Sequence, residues 1–193
     1  MIRALLALAA IAGCGSGDTN AGRIEISRVG ETLVIRDTLH VLELPLTKAS
    51  KDHAFAQLEL PAIEFPGRIA FVDQAHGELL AVWITRLGAK RPENIQRWFD
   101  EKIEKVSRAG GTVLNDEGMK FGEHPARIAD ANAPSKDWPI GHYTRFIGVD
   151  IPEHDLEIVI IGVIAAAVPS AEQQQWLDDL TLDVRAIKIA APK

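Results

Sequence analysis

The chain is poor in cysteine, with Cys14 the only one among 193 residues. A lone thiol forms no internal disulfide framework, and it rules out a zinc or iron–sulfur site built from several cysteines. Basic excess is missing as well: 27 Asp and Glu stand against 21 Lys and Arg, a formal net charge of −6. That is the wrong sign for a surface that grips phosphates, so no nucleic-acid partner is expected. The stretch Ile158 to Val168, eleven residues without a polar side chain, is about half of what a membrane-spanning helix needs. No internal repeat is present. Against these absences stands an apolar content of 47%, too high for disorder, and a length that buries roughly two-thirds of the unfolded surface.

The chain opens on Arg3, then runs from Ala4 to Gly13 with no polar side chain, and reaches Cys14. One positive charge, a short apolar stretch and small residues make the layout of a secretory signal. At about 1.5 Å per residue the stretch reaches about 15 Å, half of the hydrocarbon core. Ile11-Ala12-Gly13-Cys14 resembles the lipobox of bacterial lipoproteins. That resemblance implies a diacylglyceryl group on the Cys14 sulfur, removal of residues 1–13, and acylation of the new terminus. Two or more acyl chains anchor stably, because each buried methylene adds about 0.8 kcal/mol. The alternative is ordinary cleavage after the small-x-small triplet Ala10-Ile11-Ala12, which leaves Cys14 a free thiol. Residues 14–22 read as the lipidated cysteine with a Gly, Ser, Asp, Asn and Thr tether, whose last eight residues span about 15 Å. The expected location is the bacterial cell envelope, lipid-anchored. Gly15, where an Asp retains enteric lipoproteins, points to the outer membrane facing the periplasm in a Gram-negative host.

Residues 23–193 read as one domain. Ile24 and Ile26, then Leu33, Ile35, Leu39, Val41 and Leu44, follow a period of two, with Gly30-Glu31 between them as a turn. Leu58 and Leu60 end a short run at Pro61. Arg68 to Val72 and Glu78 to Thr85 make a hairpin around Asp73 to Gly77. Ile95, Trp98, Phe99, Ile103 and Val106 share one helical face after Pro92, and Gly110 stops the helix. Acid–base pairs four apart, such as Glu104 with Arg108, cover its other face. Short strands are expected at Met119–Phe121 and Ala126–Ala129, an irregular loop from Asp130 to Gly141, and a strand from His142 to Ile151. Ile158 to Val168 reads as a central strand buried on both faces. Ser170 and Gln173 form a capping box for a second helix with Trp176, Leu177 and Leu180 inward. Ala186 to Ile189 is left open between strand and helix.

From Gly77 to Ile189 this order is a strand, a helix, a turn at Gly122-Glu123-His124-Pro125-Ala126, two long antiparallel strands, and a helix ending in Ala186-Ile187-Lys188. It resembles the Mog1/PsbP-like group, which includes the DcrB-like and LpqN-like lipoproteins. The resemblance implies an α+β fold, an antiparallel β-sheet flanked by helices, and a role as adaptor or accessory subunit.

Chemistry-bearing motifs are sparse. No serine sits in a Gly-x-Ser-x-Gly elbow, and Gly110-Gly111 ends a helix where a phosphate cradle starts one. His40 and Glu43, three apart in a strand, point to opposite faces and cannot chelate. Asp150, Glu153, His154 and Asp155 around Pro152 read as a solvated turn, and Asp178-Asp179 as helix surface. Neither a catalytic set, a metal site nor a cofactor is expected. The stretch Asp130–Gly141 holds the candidate partner-binding residues: Trp138 as an amphipathic anchor, with Lys136, His142 and Tyr143 as polar neighbours. The expected function is a non-enzymatic, lipid-anchored adaptor for an unidentified envelope protein. The alternative is a carrier of an apolar ligand or lipid held between sheet and helix near Trp83 and Trp98.

Overall fold

Alternation of apolar and polar residues makes strands, and most of the described residues are strand. The structure is a computed structural model that describes residues 25–36, 41–58, 68–86, 95–108, 110–135 and 138–190. The N-terminal segment with Cys14 lies outside these residues. In chain order the elements are β1 (Glu25–Val29), β2 (Thr32–Arg36), β3 (Val41–Pro45), β4 (Ala56–Leu58), β5 (Arg68–Asp73), β6 (Glu78–Arg86), α1 (Ile95–Arg108), β7 (Thr112–Phe121), β8 (His124–Ser135), β9 (Trp138–Ile151), β10 (Leu156–Ile164), α2 (Ala171–Arg185) and β11 (Lys188–Ala190).

Two antiparallel sheets form. The larger has the order β4-β5-β6-β10-β9-β8-β7 and the smaller β1-β2-β3-β11. One face of the large sheet, with Val82, Ile147, Ile158 and Ile160, shares a hydrophobic cluster with Trp176, Leu177 and Leu180 of α2 and with Leu33, Ile35, Leu42 and Leu44 of the small sheet. The opposite face meets α1, whose Phe99 and Ile103 pack against Ala129 and Phe146. The fold is α+β, an antiparallel sheet flanked by helices, as expected. Strand β10 is buried at every position, which is why its sequence does not alternate. Gly162 on β10 lies under α2: a Cβ there would stand 2.8 Å from Leu177 Cδ2 and 3.3 Å from Trp176. Its missing side chain sets how closely the helix approaches.

Local signals translate directly into element ends. Ser170 caps α2, accepting from Gln173 N at 3.2 Å while its own N–H donates to Gln173 Oε1 at 3.0 Å. The stretch left open, Ala186 to Ile189, becomes a strand from Lys188, with Ile189 of β11 opposite Leu42 of β3. The buried stretch from Ile158 is strand only to Ile164; there it turns, and Ala165 N–H donates to Gly77 O at 2.9 Å.

One expectation is corrected. The stretch Asp130–Gly141 is not an irregular loop: Asp130 to Ser135 belong to β8, and Trp138 to Gly141 to β9. Asp130 lies opposite Arg145 in the ladder, so its charge is met from the neighbouring strand. Asn132 donates its side-chain amide to Ala167 O at 2.9 Å. Pro134 falls where the register shifts between Ala133 and Ser135, the irregularity at which a residue without an N–H is tolerated in a sheet. The flanking strands are longer than expected for the same reason, since polar residues in β7 and β8 find partners across the ladder.

Candidate functional site

A group of titratable side chains lies at the β5–β6 turn. Asp73 opens that turn and accepts from Ala75 N at 2.9 Å and His76 N at 3.3 Å, the local bonding that makes Asp a turn former. Its other oxygen takes Ala54 N and contacts His76 Nδ1, both at 2.9 Å. Burial works against the charge, but these hydrogen bonds outweigh it and bring the Asp73 carboxyl down to about 2. The same bond raises the His76 imidazole above its ordinary value. Glu78, opposite Asp73 in the ladder, is 1% exposed. Burial pushes its carboxyl up, and the nearby His53 and His76 pull it back.

His53 completes the group. Its Nδ1 stands 2.7 Å from Lys51 O, and a carbonyl only accepts, so Nδ1 carries a hydrogen. Its Nε2 stands 2.7 Å from Glu78 Oε2, an ion-pair contact between two buried side chains. The ring stacks on Phe55 at 5.5 Å and on Trp176 at 6.1 Å, and its centroid is 4.8 Å from that of His76. The cluster thereby fastens the strap from Leu46 to Phe55, which links the two sheets, to the β5–β6 turn and to α2. The strap's other end is held by Asp183, which accepts from Lys48 N and Ala49 N at 2.8 Å each, and by Trp176, which donates to Ala49 O at 3.1 Å.

Two arginines do similar work on opposite faces of the large sheet. Arg145 donates to both oxygens of Asp130, at 2.7 and 3.0 Å, and to Asp178 of α2 at 2.7 Å. Burial opposes its charge, yet these carboxylates raise its pKa. Arg127 grips Asp116 of β7 with two nitrogens, reaches Asp100 of α1 at 3.0 Å, and lies over the Phe99 ring. Each guanidinium thus ties a helix to two strands through paired, planar bonds. Asp178, expected as plain helix surface, is one of these partners.

The expected partner-binding residues do not form one exposed surface. His142 and Tyr143 are buried in β9, at 6% and 8% exposure. Burial lowers the His142 pKa; burial and the neighbouring Asp130 push the Tyr143 hydroxyl up to about 12. Lys136, like Cys14, lies outside the described residues, as does the side chain of Trp138. The backbone of Trp138 is placed, opposite Ser135. Of the tryptophans expected beside a carrier cavity, Trp83 is buried among Ala81, Val159 and Ile161 on the face away from α2, with Arg68 over its ring. The side chain of Trp98 is not described. Among the described residues, no group of three or more His, Cys, Asp or Glu is placed to hold a metal ion.

The register gives the β8–β9 hairpin a further property. The first residue of β7 pairs with Asn132, and the last of β10 pairs with Tyr143. Beyond these points, among the described residues, β8 and β9 pair only with each other, through Ala133 with His142 and Ser135 with Trp138. Among the described residues the hairpin therefore extends past its neighbours as an arm, with the Ser135–Trp138 pair its outermost.

No protein-family model and no curated protein matches the sequence. Solved structures similar to this one include PA94 of Pseudomonas aeruginosa, 12% identical over 89% of this chain and 99% of that one, with a TM-score of 0.45. The Saccharomyces cerevisiae Ran-binding protein Mog1p is 10% identical over 86% and 95%, with a TM-score of 0.45. The immunity protein TplEi of the Pseudomonas aeruginosa type VI secretion system is 12% identical over 97% and 83%, with a TM-score of 0.44. At these identities and scores the likeness bears on neither the partner nor the activity of this chain.

Proposed function

We propose that this chain is a lipid-anchored cell-envelope protein that works by holding another envelope protein, with the β8–β9 arm as its contact. The observation that carries the reading is the register just described. Two strands pairing only with each other have little stability of their own, so an arm of this kind gains most from a surface that packs on it. A tryptophan near its end supplies large contact area at small entropic cost. The anchor reading is supported by the only cysteine falling at the end of the apolar stretch, close ahead of β1. In a Gram-negative host the protein then sits on the outer membrane facing the periplasm.

A photo-crosslinking residue at Trp138, introduced in intact cells, is expected to capture one defined envelope protein. The same residue at Leu182, 42% exposed on α2, is expected not to. Equal capture from both positions, or none from 138, would remove the arm from the interaction. Mass spectrometry of the N-terminus is expected to find diacylglyceryl thioether on Cys14. An unmodified thiol there would refute the anchor and leave the arm untouched.

A further inference from the structure

Strand β7 ends the large sheet, and no described strand pairs with its outer side. Leu114 to Gly118 are exposed in succession. An open edge of this length is a template for another strand. Which backbone groups face outward follows from the turn after it. Gly122, at φ +60°, and Glu123 form a two-residue turn between Phe121 and His124, which pair with each other. In such a hairpin the closing pair exchanges hydrogen bonds, and bonded and non-bonded positions then alternate. Met119 and Glu117 accordingly face β8, and the N–H and C=O groups of Lys120, Gly118 and Asp116 face away. Pro125 agrees: it stands opposite Lys120, a position where β8 needs no N–H toward β7.

Among the described residues nothing accounts for Gly118. Its φ is not left-handed, and an added Cβ would meet nothing within 4 Å. A glycine in a strand interior costs stability and often marks the close approach of another backbone.

We propose that β7 pairs antiparallel with β7 of a second copy of this chain, about a two-fold axis through Gly118. Self-pairing through the outward groups centres on residue 116, 118 or 120. Centring on Asp116 sets two carboxylates against each other, and centring on Lys120 sets two ammonium groups together. Centring on Gly118 places Asp116 of each copy opposite Lys120 of the other, two charge pairs flanking a gap with no side chain in it. Arg127 already holds Asp116 with two nitrogens, so one side of each pair is fixed before the second copy arrives. The helices fit as well. α1 crosses β7, β8 and β9, and three strand spacings, about 14 Å, separate β8 from its counterpart, more than a helix diameter of about 10–12 Å. The β8–β9 arms remain free, so this pairing does not depend on what the arms bind.

The test uses the full chain in its membrane and then in detergent. In a hydrogen-bonded antiparallel pair opposed Cα atoms lie about 5.5 Å apart, within disulfide reach. Gly118→Cys is therefore expected to give a covalent dimer on mild oxidation, above any background that the parental chain shows through Cys14. Asn115→Cys is not, because the two copies of residue 115 would stand about 20 Å apart. Adding Lys120→Glu, an exposed change outside the core, is expected to abolish the residue-118 crosslink and to weaken dimerisation in sedimentation by about tenfold or more. Equal crosslinking from 115 and 118, a parental chain that sediments as a monomer, or a residue-118 crosslink to a different protein would overturn the proposal.

Discussion

Removing the Arg145 guanidinium leaves Asp130 buried without its two-pronged partner and Asp178 without its tie to the sheet. Breaking one side of a buried pair costs about 3–5 kcal/mol, so Arg145→Ala is expected to lower the midpoint of urea denaturation sharply. Arg145→Lys should recover only part of the loss, because an ammonium does not reproduce the paired bonds. Asp73 has a different signature, legible in pH. Its folded pKa, about 2, lies below the ordinary 3.8. The stability it contributes is present above pH 3.8 and lost as pH falls toward 2. His76 runs the other way: its pKa is raised, so its contribution is present below 6.5 and lost as pH climbs through the folded value. Asp73→Asn removes both, and its destabilisation is expected to be greatest between about pH 4 and 6.5 and smaller on either side. Thermal melts across that range check the shape. A pH-independent loss would show that Asp73 acts only as a turn former.

At the scale of elements, Gly162 is the position where the sequence controls packing of α2 on β10. Gly162→Val is expected to cost about 1–3 kcal/mol through overpacking against Leu177 and Trp176, read as a lower melting temperature with unchanged secondary structure. Unchanged melting would mean that α2 shifts freely on the sheet. The elements themselves were largely legible beforehand because their signals are local: Gly30-Glu31 for the first turn, Asp73 to Gly77 for the second, and Ser170 with Gln173 for the cap. What escaped was compensated at a distance. Asp130 and Asn132 look like loop residues when read along β8, and become strand residues only once Arg145 and Ala167 stand beside them. The histidine–carboxylate group was equally invisible. His53 lies twenty residues before Asp73, with no motif joining them, and only the fold of the strap brings the rings together. The hairpin carrying Asp73, His76 and Glu78 was foreseen; its meeting with His53 was not.

For the whole molecule, a single hydrophobic cluster runs from the small sheet through α2 into the large one. Unfolding is therefore expected to be one cooperative transition, with tryptophan fluorescence and far-ultraviolet circular dichroism giving the same midpoint. Two separated midpoints would show the sheets to be independent. Cys14, the proposed anchor, precedes the described residues in sequence. Cys14→Ala is expected to move the protein from the membrane to the soluble fraction at an unchanged melting temperature. Retention in the membrane would count against lipidation. The closing strand of the small sheet has a further consequence. β11 comes from the chain's far end yet lies against β3, laid down near its beginning. The small sheet cannot be completed until β11 has been synthesised, because contacts this distant in sequence form late. A nascent chain thus stays short of its finished shape, and pliant, for as long as β11 has yet to emerge.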